Sequence, residues 1–250
     1  MSYYMNPLLI SLTNLMFRES SYESTNNVSF SACCSIMSLV ENSATDTKLI
    51  LQGFFTEILN FFNKTLTNKN MFKSEEQRKN IQAYLANIID TCFNSGKLPI
   101  NIEKGKIILE MLIESFKERN NVYEEGLLAC SALGLSLKDQ FIHIYPLLYP
   151  YVIYALSKPD DVSLCKVGVT VTSDLIRSVG SNINLDEILP LTMKIINDNN
   201  IDKSLKIGAL NIISDVFIEC KEKILAYFDD IMKVVLFALE AAMLIPNENV

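Results

Sequence analysis

Residues 161–179 read DVSLCKVGVTVTSDLIRSV, and residues 202–220 read DKSLKIGALNIISDVFIEC. A shift of 41 residues lays the first on the second. Asp161 falls on Asp202, Ser163 on Ser204, Leu164 on Leu205, Gly168 on Ala209, Ser173 on Ser214 and Asp174 on Asp215. The apolar stripe carries over as well. Leu164, Gly168, Val171, Thr172, Leu175, Ile176 and Val179 correspond to Leu205, Ala209, Ile212, Ile213, Val216, Phe217 and Cys220. Steps of three and four put each set on one face of a helix. Asp161 and Asp202 offer a short acceptor side chain where each helix starts.

Working outward, helical spacing holds almost throughout. A second stripe runs Leu225, Phe228, Ile231, Met232, Val235, Leu236, Leu239. No run alternates with period two for long enough to build a sheet. Breakers such as Asn197-Asp198-Asn199-Asn200 and Gly180 divide the chain into eleven expected helices. These lie near 6–18, 27–42, 46–67, 74–93, 102–119, 123–136, 140–157, 162–179, 185–197, 202–220 and 222–243. Ala129 lies 39 residues before Gly168, and earlier units are nearer 50 residues long.

A helix pair recurring every 40–50 residues is the period of the HEAT class; tetratricopeptide and ankyrin repeats, at about 34 and 33, are too short. The fold expectation is therefore all-α: a right-handed α-α superhelix of HEAT/armadillo type, forming one solenoid over 1–250. It comprises repeats near 6–42, 46–93, 102–136, 140–179 and 185–220, and then an unpaired helix 222–243. Within a pair the first helix is A and the second B. In this class A helices line the convex surface and B helices the concave one. The small residues Ala129, Gly168 and Ala209 are expected to let neighbouring B helices approach closely. Because the array stops on an unpaired amphipathic helix, a piece of a longer solenoid is expected.

Composition agrees. Gly (8) and Pro (7) are sparse in 250 residues, against a turn-rich all-β fold. Net charge is −7, and a nucleic-acid-binding role lacks its basic footprint. The six cysteines include no CxxC, so they read as reduced thiols, buried where they fall in helices, rather than as a disulfide or zinc framework. The N-terminus has no basic n-region of a signal peptide. The uncharged stretch 141–157 is interrupted by His143, Pro146 and Pro150 and falls short of a membrane span.

Catalysis has little support. The single histidine, His143, stands in an apolar context and reads as a packing residue. No GxGxxG, P-loop or HExxH pattern occurs, so no cofactor or metal is expected. The pairs Glu75-Glu76, Glu124-Glu125, Asp160-Asp161 and Asp186-Glu187 sit near helix starts, where the helix dipole favours them.

Charge distribution says more. Residues 1–121 carry 12 acids and 12 bases; residues 122–250 carry 17 acids and 10 bases. Glu124, Glu125, Asp161, Asp174, Asp202, Asp215 and Glu219 belong to B helices or their starts. On a concave surface they would focus a field attracting a basic helix or patch; the plain alternative is a solvated acidic surface. Phe54, Phe55, Phe61 and Phe62 lie at helical spacing. Core packing is their default role, although a groove between A helices could take a partner's side chain.

A family likeness rests on particular residues. The stretch Asn26-Asn27-Val28-Ser29-Phe30-Ser31-Ala32-Cys33-Cys34-Ser35-Ile36-Met37-Ser38-Leu39-Val40-Glu41-Asn42-Ser43-Ala44 resembles a B helix of the importin-β (karyopherin-β) family. Ser173-Asp174-Leu175-Ile176-Arg177, Ser181-Asn182-Ile183 and Ser214-Asp215-Val216 fall where that family has Gly-Asp-Leu/Ile motifs and a Ser-Asn-Ile turn. Serine replaces the motif glycine at Ser173 and Ser214, and the motif is missing at Leu135. The helix order agrees with the middle-to-C-terminal part of such a receptor.

The resemblance implies a non-enzymatic nuclear import receptor fragment, found in cytoplasm, nucleus and nuclear pore. Its implied partners are importin-α or basic cargo segments, RanGTP and Phe-Gly nucleoporins, with no nucleic acid and no membrane insertion. It implies a basic-segment surface to which Asp174 and Asp215 would belong, and a Phe-Gly site among A helices. We take Ile188, Leu191, Ile195, Phe228, Ile231 and Val235 as candidate lining residues. The alternatives are a generic HEAT scaffold such as a phosphatase regulatory subunit and, more remotely, an all-helical enzyme.

Overall fold

The computed structural model describes residues 2–17, 26–44, 47–117, 119–120 and 122–243. Among them are eleven α-helices and no strand. The chain divides into two compact units, Met1–Leu137 and Lys138–Val250.

The first unit contains α1 (Ser2–Phe17), α2 (Asn26–Glu41), α3 (Lys48–Thr67), α4 (Glu75–Asn94), α5 (Ile102–Phe116) and α6 (Tyr123–Leu137). These helices pack in pairs, α1 on α2, α3 on α4 and α5 on α6. Successive B helices α2, α4 and α6 form one layer, and successive A helices α1, α3 and α5 form the other. Between the layers lies a core of Leu9, Ile36, Phe62, Leu85, Ile88, Leu109 and Phe116. Helix starts are set by side chains: Ser74 accepts from the Gln77 N–H and Asn101 from the Lys104 N–H. One helix end is held from another repeat. Lys97 Nζ donates to Val40 O (2.9 Å), Glu41 O (3.0 Å) and Ser43 Oγ (2.9 Å), placing a cation on the negative end of α2.

The second unit contains α7 (Tyr145–Leu156), α8 (Val162–Val179), α9 (Leu185–Asn197), α10 (Lys203–Glu219) and α11 (Phe228–Met243). Helix α7 pairs with α8 and α9 with α10; α8 packs on α10, and α9 contacts α7 and α11. Asp161 and Asp202 cap α8 and α10, accepting from the Leu164 and Ser204 N–H groups. Gly180 closes α8 at φ +56°, a conformation that glycine adopts without a Cβ penalty. Tyr145 and Tyr149 of α7 donate their hydroxyls to Asn182 O (3.0 Å) and Asn184 O (3.2 Å), tying the α8–α9 connection to α7.

Several expectations are corrected. The helix expected over 140–157 begins as a 3-10 segment, Lys138–His143, and that expected over 222–243 as another, Lys221–Tyr227. His143 is exposed rather than a packing residue. On α11 the buried register is Ile231 and Val234, while Leu225, Phe228, Leu236 and Leu239 are exposed. Phe217 likewise leaves the buried stripe of α10.

Gly168 serves a different contact from the one expected. A Cβ there would stand 2.7 Å from Leu156 N and 2.8 Å from Ala155 C, so this glycine brings A helix α7 onto its own B helix. The close approach between B helices uses Gly208, whose Cβ would meet Val169 Cγ1 at 2.5 Å.

Candidate functional site

The acids selected from sequence fall into different environments. Glu124 and Glu125 occupy the first turn of α6 in the first unit. Both are half-buried. Burial pushes the Glu125 carboxyl above its ordinary pKa, and its buried Oε2 has no hydrogen-bond partner. That oxygen is ready to accept from a donor.

In the second unit, Asp161 and Asp202 are exposed N-caps. Hydrogen bonds from Ser204 hold the Asp202 carboxyl below the usual carboxylate range. Asp174 and Asp215 lie about 20 Å further along their helices, at 1.5 Å per residue. Both are engaged by Arg177 of α8. Its Nε and Nη2 donate to the two oxygens of Asp215 on α10 (3.1 and 3.0 Å), and Nη1 reaches Asp174 Oδ1 at 3.4 Å. Asp215 is 7% exposed. Glu219 is half-buried in the last turn of α10. The second unit therefore spends four of its five candidate acids, two on caps and two on Arg177, of which Asp174 pairs within α8 and Asp215 pairs between repeats.

Apolar grooves between A helices are better developed. A cavity of about 670 Å³ opens between α1 and α3, lined among others by Ile10, Gly53, Phe54, Glu57, Ile58 and Phe61. A second, of about 450 Å³, lies between α3 and α5, against Phe55, Leu59, Phe93, Leu98, Ile107 and Ile108. The four phenylalanines of α3 thus divide. Phe54 and Phe61 face one groove, Phe55 faces the other, and Phe62 is fully buried.

Of the lining residues expected between α9 and α11, Ile188, Ile195 and Ile231 are core residues with exposures of 0, 1 and 0%. Leu191 and Val235 are half-buried and Phe228 is exposed. The hollow on α11 uses the neighbouring register, Lys233, Val234 and Phe237, opposite Asn197. Sequence reasoning allowed a groove between A helices beside these phenylalanines but took its candidate lining residues from α9 and α11 and not from the grooves flanking α3. The paired Phe-Phe steps were their signal, since adjacent residues on a helix diverge by about 100° and the two pairs stand on opposite edges of a wide apolar arc, Phe54 with Phe61 and Phe55 with Phe62.

Cys33, Cys92, Cys130, Cys165 and Cys220 are buried free thiols and Cys34 is exposed. Burial pushes the Cys33 and Cys92 thiols up to about 12. No group of three or more His, Cys, Asp or Glu is placed to hold a metal ion among the described residues. No described helix is long and apolar enough to cross a membrane.

Paired helices in two layers, with a 41-residue register from α8 to α10, define a HEAT-type helical-repeat protein. The family model described as "Importin subunit beta-1-like, TPR repeats" matches residues 1–248. This chain belongs to that importin subunit beta-1-like family. Importin subunit beta-1 of Schizosaccharomyces pombe (strain 972 / ATCC 24843) is 22% identical over 214 residues, 83% of this chain and 25% of that protein.

Solved structures agree on the fold. Importin beta crystallised in ammonium sulfate superposes with a TM-score of 0.83 at 19% identity, over 99% of this chain and 29% of that one. Kap95 in a Kap95:Nup1 complex gives 0.75 at 18% identity, over 93% and 27%. A structure of Kap95p bound to RanGDP gives 0.70 at 19% identity, over 99% and 29%. The chain spans 25% of the curated relative's length.

Proposed function

We propose that this chain is a binding segment of a nuclear transport receptor, working at the nuclear pore and in cytoplasm and nucleus without catalysing a reaction. The observation that carries the reading is the pair of apolar grooves flanking α3. Each is concave, lined mainly by aliphatic and aromatic side chains, and large enough for a phenylalanine. Phe-Gly nucleoporin repeats are the ligand such grooves would take, and a relative in complex with Nup1 supports that assignment. The face of α9 and α11 with Leu191, Phe228 and Val235 is a further, shallower place for the same side chain.

Ran is a second partner, supported by the relative bound to RanGDP. Basic import segments, including that of importin-α, are the third. Glu125 suits them best, because its half-buried carboxyl has an oxygen lacking a donor. Asp174 and Asp215 would meet such a ligand only by sharing or releasing Arg177.

Fluorescence anisotropy of a labelled Phe-Gly repeat peptide, beside a Phe→Ser control peptide, tests the reading. Saturable binding that the control lacks is the expected result. Equal binding of both peptides, or none, would remove the Phe-Gly assignment from these grooves.

A further inference from the structure

The two grooves that flank α3 differ in charge. The floor of the α3–α5 groove is apolar: the Phe55 and Phe93 rings meet edge-on at 5.3 Å, with Leu98 and Ile108 buried beside them. Lys104 is the one charged side chain among its described lining residues. It is exposed at the mouth. Asn101 accepts from the Lys104 N–H at 3.0 Å, which fixes this residue in the first turn of α5. There the helix dipole adds positive potential. Lys106, two residues on, is paired with Glu110, whereas no ion pair engages Lys104 among the described residues. Glu103, in the same turn, does not line the groove.

The α1–α3 groove has the opposite sign on its wall. Glu57 is its one charged lining residue. Lys64, two helical turns further along α3, stands over the Phe61 ring at 5.2 Å from its centroid. One helix therefore separates two clefts of similar apolar lining and unlike charge. An apolar cleft accepts any phenylalanine of fitting shape, so the ring alone does not distinguish one segment from another. The residues beside the ring do. With the ring in the α3–α5 groove, its chain neighbours are held at the mouth, where Lys104 stands. A carboxylate there gains a partner, and an ammonium meets a like charge.

We propose that Lys104 makes the α3–α5 groove selective for a phenylalanine with an acidic neighbour. The ring enters between α3 and α5, and an adjacent aspartate or glutamate meets the Lys104 ammonium at the mouth. The proposal rests on the Phe-Gly reading and adds to it the chemistry of the flanking residue. The net charge of −7 acts against acidic ligands in general, so a preference for acid at this one groove is the mark of Lys104 itself. Because the pair is exposed to solvent, the preference is modest and falls as salt rises.

Fluorescence anisotropy with two labelled peptides tests it. They are alike except that the Phe-Gly pair is flanked by aspartate in one and by lysine in the other. Each is titrated with the 250-residue chain carrying Gly53→Leu, which fills the α1–α3 groove, with and without Lys104→Gln. Lys104→Gln should weaken the aspartate-flanked peptide about two- to fivefold, the scale of an exposed ion pair, and should not weaken the lysine-flanked one. Lys104→Glu should favour the lysine-flanked peptide, and both effects should shrink at high salt. Lys203→Gln, at an exposed position of the second unit, changes net charge equally and should leave both peptides unaffected. Phenylalanine-dependent binding that Lys104→Gln leaves unchanged, or weakens equally for both peptides, would overturn the proposal and leave the Phe-Gly reading standing. No binding, or equal binding of Phe→Ser versions, would remove the Phe-Gly reading and this selectivity with it.

Discussion

Arg177 of α8 holds Asp215 of α10 side-on, with Nε at 3.1 Å and Nη2 at 3.0 Å from the two carboxylate oxygens. The aspartate is buried and the arginine is half exposed, so the pair links two repeats at the edge of the core. Replacing one partner strands the other. Asp215→Asn or Arg177→Met is expected to cost about 1.5–3 kcal/mol, the range for a hydrogen bond to a charged group, since solvent at Arg177 screens the larger fully buried value. Urea denaturation of both single variants and the double should show the double costing less than the sum of the singles.

Two glycines of helical conformation should respond oppositely to a methyl group. At Gly168 an added Cβ meets backbone atoms of Ala155 and Leu156 within 3 Å, which cannot move away as a side-chain tip can. Gly168→Ala is expected to destabilise by about 1–3 kcal/mol, with α7 pushed off α8. At Gly53 nothing lies within 4 Å. Gly53→Ala there should be neutral or stabilising by up to about 1 kcal/mol through helix propensity. Thermal melts of the two variants side by side provide the comparison.

Gly53 also gives a way to close a groove without harming the fold. It lines the α1–α3 cavity. Gly53→Leu should fill the space and weaken binding of a Phe-Gly peptide at that groove, while circular dichroism and melting temperature stay near those of the parent. A binding curve unchanged by Gly53→Leu would place the peptide elsewhere, with the α3–α5 groove next to be tested through Ile107→Glu.

Glu125 carries a pH signature. Its folded carboxyl pKa is raised by burial, so between the ordinary and the raised value the folded state binds more protons than the unfolded one. Its stabilising contribution is fully present below the ordinary glutamate value and is lost as pH rises through the folded value. At neutral pH the carboxylate is therefore a liability. Glu125→Gln should raise the melting temperature at pH 7 and lose that advantage near pH 4. If Glu125 meets basic ligands, the same variant should bind them more weakly.

The thiols give a simple count. Of six cysteines only Cys34 is exposed. A thiol-reactive reagent should label one cysteine quickly in the native protein and all six in denaturant. Fast native labelling at Cys33, Cys92 or Cys130 would contradict their burial.

Reading the sequence alone identified the all-α class, the approximate position of every helix, the caps at Asp161 and Asp202, and the family. The class, the helix positions and the caps follow from local physics and short-range pattern, apolar steps of three and four and acceptor side chains at helix starts; the family came from the resemblance carried by residues 26–44 and the motifs around Asp174 and Asp215. The 41-residue register was visible because equivalent helices bury equivalent positions. Tertiary structure decided what each face of a helix meets. Whether Gly168 admits its own A helix or a neighbouring B helix depends on crossing geometry that spacing does not specify. Whether Phe54 and Phe61 fill a core or line a groove depends on the distance between α1 and α3. Asp174 and Asp215 were legible as acids on B helices, but their engagement by Arg177 exists only once α8 and α10 pack together. The sequence determines which residues can be buried; the packing of helices distant in the chain selects which are, and which remain to meet a partner.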